Sequence, residues 1–560
     1  MRFEATSKES RALRSSRLSD GPGGRRRRIV VLSASLLLVA AAMPAFGCRG
    51  CRSRSYAPTP GRFVVQLEAE PPHLNPIIQE DMWLKRIVTN TVFETLVRRN
   101  PSTGEFEPNL AVSWKMSPDA KSLTLELRRS VSFHDGRPFS AADLLFTLDK
   151  VMDPTVTAAA ARAGLDGLSS WKKTGPGRVR LIFDKPSPRV LEALAHLCIL
   201  PRHIYGVGDF NHHPAADRPV GTGPFRFQSW RHGEYIRLVR NRHYWGRRPG
   251  LDEIVFRVVR SRTKALAMLR AGRLDLLSRV PPCEVFTRKG RRKTGFSHGI
   301  AVRVFYPVQF YSIVLNHKNP LFGDRRVRRA LAMLLDRAQI AEKLYCGQAK
   351  VVSGPYWIGG SGYDPTVKPW PYDPGKAAKL LEQAGWKDRD GDGLLDRDGK
   401  PFRFQYFRIM ESTLQRRFVP VLRESFRKAG LDMQVVTLPW AQVLARLRAH
   451  QFDMVDFNWG SDADQDLFQL FHSSQCRGGS NYGCYANPAA DRLLEKARTT
   501  ADVHERHAIE RKLHRLFHDD LPVLFLFDPA AVSLVRSGFQ GVEPTVEWFQ
   551  LDKIRPGRSR

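Results

Sequence analysis

Between Ser122 and Val151 the chain changes its hydrophobic period. In SLTLELRRSVSF, Leu123, Leu125 and Leu127 take alternate positions, as a half-buried strand requires. Further on, Leu144, Leu145, Leu148 and Val151 recur at helical spacing. Asp135-Gly136 is a turn signal between the two. Ser140 to Asp143 fits a capping box, in which the hydroxyl accepts a first-turn amide and the acid favours the helix N-terminus. Any fold for this chain must contain that strand, bend and helix in order. His134 and Asp135 lie in the bend and could be paired for acid–base work. The bend already accounts for every residue there, so no catalytic role is expected of them.

A chain of 560 residues is too long for one compact core, so two or three lobes are expected. Hydrophobic residues at 42% and charged residues at 26% exclude general disorder. The N-terminus departs from this average. Arg25 to Arg28 run into IVVLSASLLLVAAAMPAFGC, a basic flank, an apolar stretch and then small residues. That is the pattern of an export signal. The apolar stretch 29–42 is about fourteen residues, shorter than the roughly 20 that a spanning helix needs. It ends in Ala45-Phe46-Gly47-Cys48, which resembles a bacterial lipobox, so Cys48 is the expected lipidated residue. Simple cleavage and an uncleaved anchor are the alternatives. Residues 49–60, polar and Pro-containing, read as a tether, and globular structure is expected from about residue 61.

Export permits disulfides. Cys476 and Cys484 bracket the Gly-rich RGGSNYG and are the first candidate pair, whereas Cys198, Cys283 and Cys346 stand isolated in sequence. No double C-x-x-C pattern supports zinc. The formal charge of +33 belongs mainly to the mature chain, because residues 1–47 hold only nine Lys/Arg against three Asp/Glu. Such a balance attracts anionic lipid, acidic ligands or nucleic acid without specifying one. No nucleic-acid recognition motif accompanies it, so no nucleic-acid partner is expected.

Other patterns yield bland readings. DRDGDGLLDRDG places Asp388, Asp390, Asp392 and Asp396 as a calcium loop would, but position 12 is Gly399 instead of the bidentate Glu, so no metal is expected. His507, His514 and His518 fall within about 40° of one another on a helix. Ile509, Leu513, Leu516 and Phe517 form the opposite stripe, which makes the histidines the expected wet face. Walker A, H-E-x-x-H and G-x-S-x-G sequences do not occur. No enzyme activity or cofactor is expected.

The segment NLAVSWKMSPDAKSLTLELRRSVSFHDGRPFSAADLLFTLDKVMDP resembles the signature region of the family 5 bacterial extracellular solute-binding proteins, the oligopeptide and dipeptide receptors of ABC importers. The blocks from Val220, Asp324 and Tyr372 extend the resemblance in the family's order across roughly residues 61–535. It implies a bilobal α/β periplasmic-binding-protein fold of type II, in the large form with an extra subdomain. Lobe I would comprise 61–305, with the subdomain near 101–210. Lobe II would comprise 306–528, and residues 529–560 would return to lobe I. It also implies a monomeric receptor that takes peptides and passes them to a permease with separate ATPase subunits; the same fold holding a metal chelate, an oligosaccharide or an antibiotic, or acting as a peptide sensor, is the alternative. Asp462, three residues after Trp459, looks like the family's Trp-x-x-Asp element, where the acid anchors a ligand amine and the aromatic lines the pocket. The Cys476/Cys484 pair resembles one that closes this loop in dipeptide receptors. The pattern departs just afterwards: DADQD is one residue short and has Gln465 where Pro is common. Arg408 lies near the position of the dipeptide receptors' carboxylate-binding Arg.

Overall fold

The computed structural model describes residues 61–557, except 79–80, 101–103, 297–298, 461–464 and 546–547. The expected export signal, Cys48 and tether lie outside these residues, as does Asp462.

Two large sheets divide the chain into a bilobal α/β fold. The first has seven strands in the order Ile300–Phe305, Ala531–Arg536, Leu276–Val280, Arg62–Leu67, Glu253–Val258, Tyr235–Arg240, Phe225–Arg231. Arg62–Leu67 runs parallel to both Glu253–Val258 and Leu276–Val280. The second sheet has six strands in the order Ala349–Val351, Val523–Pro529, Gln309–Leu315, Met454–Gly460, Arg403–Ile409, Asp432–Leu438. Arg403–Ile409 is parallel to both of its neighbours there. The chain passes between the sheets twice, from Phe305 to Gln309 and from Pro529 to Ala531. Each sheet has its own buried core, around Phe63, Phe225 and Phe256 in lobe I and around Phe310, Phe404 and Phe525 in lobe II.

A separate four-stranded antiparallel sheet, in the order Ala111–Met116, Ser122–Leu127, Arg178–Phe183, Leu168–Gly175, joins the lobe I core. Its second strand buries Leu123, Leu125 and Leu127 in strict alternation. The helix Ala141–Met152 starts at Ser140 with the capping box complete: Ser140 Oγ accepts from Ala142 N at 3.2 Å and Asp143 accepts from Ser140 N at 2.9 Å.

The bend between them is held by His134. Its Nδ1 accepts from Gly221 N at 3.2 Å, so Nε2 carries the proton and donates to Gly223 O at 3.0 Å. Burial lowers the imidazole pKa to about 4, which keeps it neutral and suited to both bonds. Gly221 and Gly223 are required by close approach, since a Cβ at either would sit 2.0 Å from Val92 O or 2.2 Å from Thr91 O. His134 therefore ties the strand–helix bend to the start of the Phe225–Arg231 strand.

Among the described residues, two cysteine pairs are bonded. Cys476 joins Cys484, while Cys283 joins Cys346 with a Cα–Cα distance of 5.2 Å. The second pair, which sequence spacing leaves isolated, connects the helix Pro282–Val285 of lobe I to the end of the helix Arg337–Tyr345 of lobe II. It lies beside a crossing, since Ala530 N donates to Gln348 O at 2.9 Å. The remaining described cysteine, Cys198, is buried, and burial pushes its thiol up to about 12.

The helix Val503–Asp520 corrects the expected wet face. His514 is buried, with Nε2 2.9 Å from Ser353 Oγ, and His518 Nδ1 lies 3.0 Å from Ser353 O while its ring stacks on Trp370. Residues 352–373 fold over this second face, and periodicity cannot reveal a packing partner that has no period of its own. The acidic loop satisfies itself: Asp388 accepts from the amides of Gly391 and Gly393, and Asp392 accepts from that of Leu394.

Candidate functional site

The parallel strands of both lobes end at the crossings. In lobe I, Leu276–Val280 finishes beside Val532 and Ile300–Phe305 finishes opposite Ala531. In lobe II, Gly460 ends its strand opposite Gln309, and Ile409 ends its strand opposite Leu438. Gln309 fastens the junction by donating to Pro529 O at 2.7 Å and accepting from Asn458 Nδ2 at 2.6 Å. The C-terminal ends of parallel strands at a topological switch are where open α/β sheets bind ligands.

Trp459 occupies this edge. Alternation along Met454–Gly460 sends Asp456 to one face and Phe457 and Trp459 to the other. On the first face Asp456 is buried and receives hydrogen bonds from the hydroxyls of Tyr311 and Tyr406 and from Gln415 Nε2. Burial pushes its carboxyl up to about 7. On the other face Trp459 stands 4.7 Å from the Phe457 ring and 6.2 Å from Tyr482, and Trp440 completes a hollow that opens outward. Trp459 Nε1 has no acceptor among the described residues.

Arg408 is on the Asp456 face. Its Nε donates to Thr437 Oγ1 at 3.0 Å, and its side chain lines a groove with Arg416, Arg423 and Arg427. The structure therefore does not bring Arg408 and Trp459 into one hollow. Asp462 and Asp464 fall outside the described residues, but the chain on their far side is firmly held. Gln465 is buried, with its amide oxygen accepting from Trp357 N, and Asp466 pairs with Arg498 at 3.0 Å.

A cavity of about 730 Å³ lies between the lobes. Ile77, Lys85 and Glu192 line it from lobe I, and Gly460, Asp466 and Arg498 from lobe II. Its rim carries an ion pair across the lobes, with Arg189 2.8 Å from Glu510 and both side chains largely buried, at 15% and 6% exposure. Resemblance gives Trp459 a role in advance, whereas Arg189, Glu510 and the Cys283–Cys346 bond carry no local pattern and were missed.

Known proteins share this fold. The model described as "Bacterial extracellular solute-binding proteins, family 5 Middle" matches residues 105–481. The oligopeptide-binding protein AppA of Bacillus subtilis is 28% identical over 456 residues, 80% of this chain and 82% of AppA. AppA solved in complex with a nonapeptide superposes with a TM-score of 0.72 at 26% identity, covering 89% of this chain and 99% of that one. The nickel-binding periplasmic protein of Escherichia coli is 26% identical over 481 residues, 83% of this chain and 89% of that protein. NikZ from Campylobacter jejuni, solved with Ni(L-His), gives a TM-score of 0.72 at 25% identity and covers 88% and 99%.

Proposed function

We propose that this chain, which belongs to the bacterial extracellular solute-binding proteins of family 5, captures di- or oligopeptides between its two lobes and presents them to an ABC importer. The observation that carries this reading is the cavity of about 730 Å³ walled by both lobes, a size within the usual range for ligand sites. A ligand that contacts both walls favours the closed arrangement by those contacts alone, so transport begins with a population shift. In this reading residues 61–305 and 529–560 form one lobe and 306–528 the other. Export and lipidation at Cys48 hold the monomeric receptor at the extracytoplasmic face of the cell membrane, on the periplasmic side, through residues 48–60. Energy comes from the importer's ATPase subunits, and the receptor performs no chemistry. Asp462 receives the ligand amine, and Trp459 forms the aromatic wall beside it.

Native mass spectrometry of the purified protein tests the reading. A ladder of peptide masses lost on denaturation supports it. The nickel-binding relatives favour one second reading, capture of a metal chelate in the same cavity. A single non-peptide mass would remove the peptide assignment, and the isotope pattern of nickel in it would establish the chelate alternative.

A further inference from the structure

Near the first crossing, lobe I carries a cluster drawn from three distant parts of the chain. Arg86, on the helix Met82–Val88, has its guanidinium carbon 5.0 Å from the ring centroids of both Trp83 and Trp548. Its Nη1 is buried with no acceptor among the described residues, and the same holds for Trp548 Nε1. Two buried donors without acceptors at one place suit an acceptor brought by something else.

Arg279 adds a second guanidinium. The register of Leu276–Val280 slips between Leu277 and Val280, and Arg279 adopts a φ of 57° within that bulge. A left-handed backbone is unfavourable for a side chain of this kind, and bulges beside functional sites re-aim one residue. Here Arg279 is the exposed residue of an otherwise buried strand, and its Nη1 reaches to 3.5 Å from Met82 Sδ. Burial and the Arg279 charge together lower the Arg86 pKa to about 10, so it stays protonated at neutral pH.

Glu68 and Asp81 are the acids whose charges act on Arg86. Asp81 is committed to the helix as its N-cap, accepting from Leu84 N at 2.7 Å. The cluster lies near the first crossing, since Arg279 precedes Val280, which pairs with Val532. Phe549, next to Trp548, meets the ring of Phe305, the last lobe I residue before the first crossing.

We propose that Arg86, Arg279 and Trp548 Nε1 seat a carboxylate of the bound ligand on the lobe I side of the cleft. Planar guanidinium forks match a carboxylate in geometry as well as charge. The identity of its carrier rests on the peptide reading: a peptide supplies its C-terminal carboxylate, and a metal chelate would supply that of an amino-acid ligand.

The test is calorimetry with trialanine and with trialanine amide, on the full chain and on Arg279→Gly and Arg86→Met. Arg279 is exposed and glycine suits its backbone, so that variant keeps the test alive if Arg86→Met folds poorly. Wild type should bind the acid roughly tenfold or more tightly than the amide, as for loss of a charged hydrogen-bond partner, and the variants should erase the difference. Equal affinity for acid and amide, or a difference that survives in both variants, overturns the seat and leaves the peptide reading standing. Binding of neither peptide overturns the peptide reading instead. The seat then stands only if a nickel–histidine complex binds and weakens roughly tenfold in the same variants; unchanged or absent chelate binding overturns it too.

Discussion

Glu510→Gln should loosen the contact between the lobes. Arg189 and Glu510 meet at 2.8 Å with side chains only 15% and 6% exposed, and they come from different lobes. Unit charges about 4 Å apart attract by about 4 kcal/mol at an effective dielectric near 20. Desolvation returns part of this, so removing the negative charge while Arg189 stays buried should cost about 2 kcal/mol, at the low end because glutamine still accepts a hydrogen bond. Each 1.4 kcal/mol is a factor of ten, so the equilibrium moves away from the joined lobes roughly thirtyfold. Small-angle scattering of ligand-free protein would report a larger radius of gyration, and amide exchange would quicken around Arg189 and Glu510. If the joined arrangement is the one that holds ligand, apparent affinity falls by the same factor. Scattering and exchange indistinguishable from wild type would refute the reasoning, because the pair would then contribute nothing to lobe closure.

Asp456 has a folded pKa raised by burial to about 7, so its contribution to stability is complete below the unfolded carboxylate value of about 3.9 and is lost as pH rises through 7. Melting curves of Asp456→Asn against wild type should therefore show a deficit at pH 5 that narrows by pH 8. His514 has the opposite sign, since burial lowers it to about 4 and its contribution is lost as pH falls from about 6.5; His514→Gln should cost more at pH 7 than at pH 4. The Cys283–Cys346 bond spans 63 residues and Cys476–Cys484 spans 8. Chain entropy assigns them about 4 and about 2.5 kcal/mol, so denaturant titration should find Cys283→Ser more damaging than Cys476→Ser. Asp462→Ala should weaken a free-amine peptide by about 1–3 kcal/mol in calorimetry, and unchanged affinity would remove Asp462 as the amine anchor.

Features with a local cause were legible in the sequence. The alternating leucines of Ser122–Leu127 and the Ser140 cap depend on residues a few positions apart, so spacing alone exposes them. Cys476 and Cys484 are near neighbours in the chain, whereas Cys283 and Cys346 meet only because two lobes are folded against each other. The buried face of Val503–Asp520 was misread for a related reason. Its covering segment has no period, and a histidine that bonds Ser353 looks the same in sequence as one in water. The proposed carboxylate seat is the extreme case, drawn from residues 86, 279 and 548 with no motif at any of them.

The place of Ala531–Arg536 in its sheet governs the order in which the protein can be made. This strand is not an edge: it lies between Ile300–Phe305 and Leu276–Val280 and pairs with both. As the chain emerges from its N-terminus, every strand of the six-stranded sheet is out before Ala531 appears. The second lobe can thus mature while the first still has a gap between Ile300–Phe305 and its other strands, with two strand edges open to any passing segment. Cutting the chain at residue 530 would leave that gap permanent. A truncation of thirty residues, about one-twentieth of the sequence, would disable the half of the protein that is synthesised first.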